Sequence, residues 1–539
     1  MTLLAIALAF LVCGAVAALL AGRKPALSST LAVVGAVAGG AVGVVAAVRV
    51  LSDPARGDAL VLAWQVPYGQ LHVAVDALSA FFLVPVFGFS AIAAVYGRAY
   101  LAGDTKRRRA MLWFAFDMLV ASMAMVVLAR QAVLFLVAWE VMTVCGYLLI
   151  TYEHEDAEVR RAGWVYLIAA HVGTVFLIAL FIVLGSRAGS LDFDAMASAG
   201  ATPRALAVLL FALAILGFGV KAGVVPLHIW LPEAHAAAPS HVSALMSAVM
   251  VKIGIYGIVR TLLLSGRPAA WWGPTLIVLG LAGGVVGISL ALYQRDLKRV
   301  LAYSTVENVG VILLGTGVGF WGATSGHPLV ATLGVTGALL HVWNHTLMKG
   351  LMFLGAGSVV HGAGTKDLEQ LGGLAKRMPQ TTIAMTAGAV AIAALPPMNG
   401  FVSEFLVYFG LIQGALSSTG AAGVVALLGV GVLSFFGALA VLAFVRLVGV
   451  ALLGQPRSDA AASAHESGLG MTGALALLVV LCVGSALVPH LLASFIAPAA
   501  GEITGVAPID IHALNAVPSA NALLLFAIGI GVVIARRVL

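Results

Sequence analysis

The stretch that decides the fold is LAILGFGVKAGVVPLHIWLP, residues 213–232. It is apolar on both sides of Lys221 and long enough to cross a bilayer, yet Gly223 and Pro226 interrupt it just after the lysine. Proline removes a backbone donor and clashes with the preceding turn. Such a break at membrane depth survives only where protein or water satisfies the freed backbone groups. An ionisable side chain at the centre of a membrane helix costs roughly 2.5–3.5 kcal/mol on insertion scales. The stretch therefore reads as a discontinuous transmembrane helix built around a charge.

Three more charges lie in comparable surroundings: Glu140 in LFLVAWEVMTVCGYLLI, Lys252 in SALMSAVMVKIGIYGIV and Glu404 in LPPMNGFVSEFLVYFG. A chain that keeps four such groups is expected to use them to move an ion. Composition agrees. The 539 residues are 62% hydrophobic and 9% charged, with mean hydropathy +1.08. Soluble domains carry about 25% charge, so the fold class is an all-α, polytopic membrane protein. The net charge of +7 is scattered over short loops, which speaks against nucleic acid. Cys13, Cys145 and Cys482 sit in apolar runs without CxxC or Cys/His spacing, so no disulfide, metal or iron–sulfur ligation is expected. The first apolar run lacks a basic leader and is followed by many others, so it is not read as a signal peptide.

Hydropathy gives about fifteen spans. No intervening loop is long enough for a folded catalytic domain. The seventh span, 204–231, holds the break described above. The twelfth, 380–410, holds a second one at Pro396, Pro397 and Gly400, just before Glu404. Paired breaks at corresponding places point to inverted repeats around a transport site. The expected organisation is three N-terminal helices over 1–110, a five-helix unit over 111–265, a second over 266–455 and two further helices over 456–539. Placing the N-terminus outside puts roughly eighteen Lys and Arg on the cytoplasmic side and about seven outside. The C-terminus is then cytoplasmic. That count uses, among others, Lys106 to Arg109, Arg267, Arg536 and Arg537.

Several residues are candidates for the transport path. A lysine beside a glutamate keeps its charge, and withdrawing the glutamate lets the proton go, so Glu140 and Lys221 read as a switchable pair; the alternative is a structural ion pair. Lys252 has no acid in its own span, and Gly254 beside it allows close helix approach or hydration. His341, His345 and Lys349 follow at i, i+4 and i+8, on one helix face. Histidine titrates near neutrality and suits a proton relay; polar glue between helices is the alternative, and the HExxH zinc pattern is absent. Glu404 closes the array, or partners Lys349. Asp117 and Glu307 are entry-path groups or local partners. His171 reads as a hydrogen-bonded core histidine. His228, His235 and His241 cluster after the first break, as an entrance or as interface residues. Lys298 is a membrane-edge anchor or reaches inward. Asp76 reads as an N-cap on the outer side.

The motifs EVMTVCGYLL (140–149), KAGVVPLHIWLPEAH (221–235) with APSHVSALMS (238–247), LKRVLAYSTVENVG (297–310), and HVWNHTLMKGLMFLGAGSVVH (341–361) with LEQLGGL (368–374) occur in one order. Together they resemble the antiporter-like membrane subunits of respiratory complex I, the multisubunit sodium/proton antiporters and the group 4 hydrogenases. The run 226–247 and GFVSEF (400–405) look most like the hydrogenase-4 B type. The resemblance covers about 76–450. It implies two half-channels joined by a midplane axis of Glu140, Lys221, Lys252, His341, His345 and Glu404. It also implies a proton-translocating subunit of a redox-driven complex, with no cofactor or catalytic centre of its own. The expected partners are other membrane subunits, a peripheral hydrogenase or dehydrogenase arm, the lipid bilayer of a bacterial or archaeal cell membrane, and H⁺ or Na⁺. A subunit of a cation/proton antiporter assembly is the alternative. A membrane enzyme using His228, His235 and His241 is a third. Some members end in a long helix lying along the membrane, and that lateral tie is expected to be missing here, since only a few residues follow the last span.

Overall fold

The computed structural model describes the whole chain except residues 65–67, 104–107, 201, 267, 419, 508–510, 512–516, 518, 526 and 529–539. Its helices are α1 (Thr2–Leu20), α2 (Pro25–Ser52), α3 (Ala77–Tyr100), α4 (Arg109–Leu128), α5 (Ala132–Ile150), α6 (Ala157–Ala188), α7 (Phe193–Ser198), α8 (Arg204–Ala222), α9 (Trp230–Ala237) and α10 (Ser240–Leu264). They continue as α11 (Trp272–Tyr293), α12 (Leu297–Thr324), α13 (Pro328–Ala363), α14 (Pro379–Ile392), α15 (Asn399–Ser417), α16 (Ala421–Ala451), α17 (Asp459–Ala462), α18 (Leu469–Leu487) and α19 (Pro489–Thr504). Among the described residues, thirteen helices are long and apolar enough to cross a membrane. Two others miss that standard for visible reasons. α13 carries His341, Asn344, His345 and Lys349 in its middle, and α14 has only 14 residues before the second break. Of the expected fifteenth span, 520–535, residues 526 and 529–535 lie outside the described set, as do Lys106, Arg107, Arg267, Arg536 and Arg537.

Both breaks are present. α8 stops at Ala222 because Gly223 takes φ 78°, a left-handed conformation that costs glycine little. The exposed carbonyls are recaptured: Val224 N–H donates to Gly219 at 2.9 Å and the Trp230 indole donates to Val220 at 2.7 Å. The chain then restarts as α9. In the second break α14 ends at Ile392, Leu395 N–H donates to Val390 at 3.1 Å, and α15 begins at Asn399. α10 contains a third irregularity, a π turn over Met246–Met250.

Two elements were not anticipated. An antiparallel hairpin, β1 (Asp58–Leu62) with β2 (Leu71–Val75), links α2 to α3. α19 fills much of what reads in sequence as the loop after span fourteen. It starts on Pro489 and packs its buried Ile496, Ala499, Ala500 and Ile503 toward the bundle. We call the end of the bundle bearing Arg295, Lys298, Lys366 and Arg457 the basic end, and the opposite one the hairpin end.

At the hairpin end, Asp76 caps α3 as expected, accepting from Ser79 N–H at 2.8 Å. It also pairs with Arg130 at 2.5 Å and Arg260 at 2.7 Å. Arg260 reaches Glu502 of α19 at 3.1 Å, and Glu502 accepts from Leu78 N–H at 3.0 Å. Each arginine side chain is less than a tenth exposed. One network therefore ties α3, the α4–α5 joint, α10 and α19.

α11 and α12 touch backbone to backbone. A Cβ placed on Gly280 would lie 2.6 Å from the Gly310 oxygen, and one on Gly287 would lie 2.5 Å from the Glu307 nitrogen. Gly273 meets Gly317 in the same way. Small residues permit such approach within a bilayer. The contact sets α12, and with it Glu307, against the middle of the second half.

Candidate functional site

The first cluster forms around Lys221 at the last turn of α8. The side chain is 1% exposed. Its ammonium donates to Thr143 Oγ1 at 3.0 Å and to Tyr166 OH at 3.2 Å, and it lies 4.8 Å from the Tyr166 ring centroid. The expected direct ion pair with Glu140 is not formed. Glu140 sits within electrostatic reach of Lys221 but turns the other way. It accepts from Thr174 at 2.6 Å and meets His171 Nε2 at 3.2 Å. The reason is steric: Thr143 and Tyr166 occupy the ammonium's near shell, and Glu140 lies on the face of α5 that lines a lateral apolar groove with Phe114, Met118 and Val137. His171 is likewise not a core histidine. Its side chain is 52% exposed on the outward face of α6.

The second cluster forms around the π turn. α8 and α10 touch at Gly254, where a Cβ would lie 2.7 Å from Ala222 N, so Lys221 and Lys252 stand on helices in backbone contact. Close approach, not hydration, is thus the role of Gly254. A π turn frees carbonyls from the i→i+4 ladder. Lys252, 1% exposed, donates to Ser247 O at 2.5 Å, five residues back. Ser247 Oγ meets Thr305 Oγ1 of α12 at 2.8 Å, and Thr346 of α13 donates to Ala248 O at 2.8 Å. The wide turn therefore joins α10 to both long helices of the second half.

The third cluster runs across α12, α13 and α15. Lys349 donates to Leu301 O at 2.8 Å and to Ser304 Oγ. It lies in electrostatic reach of Glu307 and Lys252, so its acidic neighbour is on α12; it forms no ion pair with Glu404 among the described residues. Glu307 accepts from the Asn308 amide. Asn308 Oδ1 meets His341 Nε2 at 3.0 Å, and His341 Nδ1 meets Ser403 Oγ at 3.0 Å. Ser403 is also bonded by Asn344, which donates to Asn399 O at 2.7 Å at the start of α15. The second break is thereby stitched to α13. Glu404, 6% exposed, follows Ser403 and lies in electrostatic reach of Glu307.

The His341 and His345 rings stack at 6.0 Å, as their i+4 spacing requires. His345 is fully buried near Lys252 and Lys349, and neither ring nitrogen meets a protein partner. Buried polar groups without protein partners are ordinarily bonded to ordered water. We expect a high-resolution map to show water on at least one nitrogen of His345, on a path from Lys252 towards Glu404. Apolar side chains filling that space would count against a relay through it.

Other candidates fall outside this axis. Lys298 reaches inward: it is 5% exposed, donates to Ala238 O at 2.8 Å, and lines a basic-end cavity of about 600 Å³ with Tyr100, Glu153, Glu233 and Lys366. Asp117 is fully buried against Gly14 of α1, with no hydrogen bond to either oxygen. His228 is half-buried beside the Tyr303 ring. His235 bonds Leu231 O at 2.7 Å, and His241 packs among Trp113, Phe116 and Tyr100. These last three imidazoles share no ligand point among the described residues. Thr143, Tyr166, Ser247, Ser304, Asn308 and Ser403 were not anticipated. Uncharged polar residues are common enough in apolar helices that nothing in the sequence marks them.

Helices broken at two places, with lysine, histidine and glutamate strung between the breaks, are the arrangement of an antiporter-like membrane subunit. The chain belongs to the NADH:quinone oxidoreductase/Mrp antiporter transmembrane family, whose profile matches residues 129–434. It is therefore a multi-pass protein of a family found in prokaryotic cell membranes. Hydrogenase-4 component B of Escherichia coli K12 is 39% identical over 451 residues, 82% of this chain and 66% of that protein. Formate hydrogenlyase subunit 3 of the same strain is 39% identical over 381 residues, 70% of this chain and 61% of that protein. The chain thus spans a little under two thirds of these relatives. In fold it matches a chain of the Mrp complex from Dietzia sp. DQ12-45-1b with TM-score 0.78 and 20% identity, over 96% of this chain and all of that one.

Proposed function

We propose that this chain moves protons along the buried axis from Glu140 through Lys221, Lys252, His345, His341 and Lys349 to Glu307 and Glu404. In this reading it is one membrane subunit of a redox-driven complex of the group 4 hydrogenase or complex I-like kind. The observation that carries the reading is the run of buried ionisable groups between the two broken helices, each within electrostatic or hydrogen-bonding reach of another or carried on helices in backbone contact. The two five-helix units, 111–265 and 266–455, act as inverted half-channels that meet at the π turn. Lys298 and its cavity serve the cytoplasmic side, with the hairpin end outside. Electrons come from a peripheral hydrogenase or dehydrogenase arm, a reading supported by the likeness to a hydrogenase-4 component and a formate hydrogenlyase subunit. The likeness to the Escherichia coli subunits supports this choice over an Na⁺/H⁺ antiporter assembly.

The test uses the parent complex in proteoliposomes, driven by hydrogen, formate, NADH or quinol in sodium-free buffer. Turnover is expected to drive H⁺ across the membrane, and Glu140→Gln to lower that flux by about a hundredfold, the low end of the range for losing one positioned proton-transfer group, with the complex still assembled. Flux that needs Na⁺ would favour the antiporter reading. Unchanged flux in the Gln variant would remove Glu140 from the path.

A further inference from the structure

At the hairpin end, remote in sequence from the axis, three donor groups converge. They are His72 on β2, Asp192 at the N-cap of α7 and Asp194 in its first turn. One ligand atom from each lies within 4.8 Å of the others. Donors held about 2.0–2.2 Å from one ion can be at most about 4.4 Å apart, and the ion would take the place of the proton now shared by His72 Nδ1 and Asp192 Oδ2, which stand 2.5 Å apart. The three come from segments already tied together by backbone bonds. Arg130 N–H donates to His72 O at 2.9 Å, Phe193 N–H to Arg130 O at 2.8 Å, and Ala132 N–H to Leu191 O at 2.9 Å. Asp192 Oδ2 faces His72 Nδ1 at 2.5 Å, while its Oδ1 accepts from Asp194 N–H at 3.0 Å, which fixes the carboxylate plane.

Charge supplies the second argument. Two carboxylates face one imidazole, and neither pairs with lysine or arginine among the described residues. Even a protonated His72 leaves one negative charge unmatched. A cavity of about 590 Å³, lined in part by Tyr68, Gln70, Gln131, Ser190 and Asp192, opens beside Asp192 and gives an ion and its waters a way to that carboxylate.

We propose that His72, Asp192 and Asp194 bind a first-row divalent cation, with water completing its coordination. One imidazole nitrogen and two carboxylate oxygens suit Zn²⁺, Mn²⁺ or Co²⁺ better than the all-oxygen preferences of Ca²⁺ and Mg²⁺. The bound ion would clip the β-hairpin to the α6–α7 joint. This site is independent of the proton reading.

The experiment titrates Co²⁺ into the tag-free full-length chain in detergent, following its visible d–d absorption, and then displaces it with Zn²⁺. One saturable equivalent is expected. His72→Ala and Asp194→Asn should each weaken binding by about tenfold or more, since loss even of a residue supporting a ligand costs 10–100-fold. His72→Cys should retain binding and add a sulfur-to-cobalt charge-transfer band. Asp194 is exposed, so its variant keeps the test valid if the His72 variants fold poorly. Equal affinity in the wild type and Asp194→Asn, or no saturable Co²⁺ signal, would overturn the site.

Discussion

Lys252→Met is expected to reduce substrate-driven proton flux by about tenfold or more, while the protein still folds and assembles. Methionine matches the length and apolar stem of lysine, and the only hydrogen bond lost is the one to Ser247 O in the π turn. A buried ammonium bonded to a carbonyl adds little net stability, because its desolvation offsets what that bond returns. The folded yield should therefore hold. Function should not, because Lys252 stands where α8 and α10 touch and where the turn meets α12 and α13. It stands within electrostatic reach of Lys349 and His345 of the second half. Lys252→Arg is the informative companion: it keeps the charge but does not readily give up a proton. Both variants should fail in a proteoliposome pH-dye assay with the parent complex turning over. A Met variant pumping at the wild-type rate would mean that protons bypass the junction, and a fully active Arg variant would mean that a fixed charge suffices there.

Gly280→Val is expected to destabilise the fold by about 3 kcal/mol, the upper part of the usual range for overpacking, and to disrupt the second half. The atoms a side chain would meet belong to the Gly310 and Leu314 backbone, at 2.6 Å each. No rotamer change can move them, so α11 must shift away from α12. Gly429→Val is the control, since its nearest neighbour is the flexible end of Leu411 at 3.2 Å. Thermal unfolding in detergent should show a lower midpoint for Gly280→Val than for the control. Equal midpoints would show that the helices can separate without cost.

Much of this was legible because membranes impose strong rules. Lys221, Gly223 and Pro226 announced the first break, and Pro396, Pro397 and Gly400 the second. The i+4 spacing of His341 and His345 predicted their shared face. What was not legible depends on rotation and on distant partners. Glu140 and Lys221 are both in the right helices, but spacing cannot reveal that Lys221 bonds Thr143 and Tyr166 while Glu140 bonds Thr174 and His171. His171 faces outward because of how α6 is turned, which an almost uniformly apolar helix does not disclose. α19 was hidden by its Pro489 and Pro498 and by polar His490 and Glu502, which resemble a loop. His72 and Asp192 are 120 residues apart, so no metal spacing exists to be read; the expectation of no metal rested on motifs alone.

The Asp76, Arg130, Arg260 and Glu502 network has a mechanical consequence. Three ion pairs join the segments here, and in each the arginine is less than a tenth exposed, so they are screened less than surface pairs. Ion pairs hold the basic end too, Arg295 with Glu369, Arg299 with Glu233 and Lys366 with Asp296, but there each cation is at least 35% exposed and so better screened by salt. At the basic end the same helices surround open space beside Lys298. Added salt should therefore loosen the basic end before the hairpin end. Lys252 and the π turn lie between the two ends of α10, held by neither set of ion pairs.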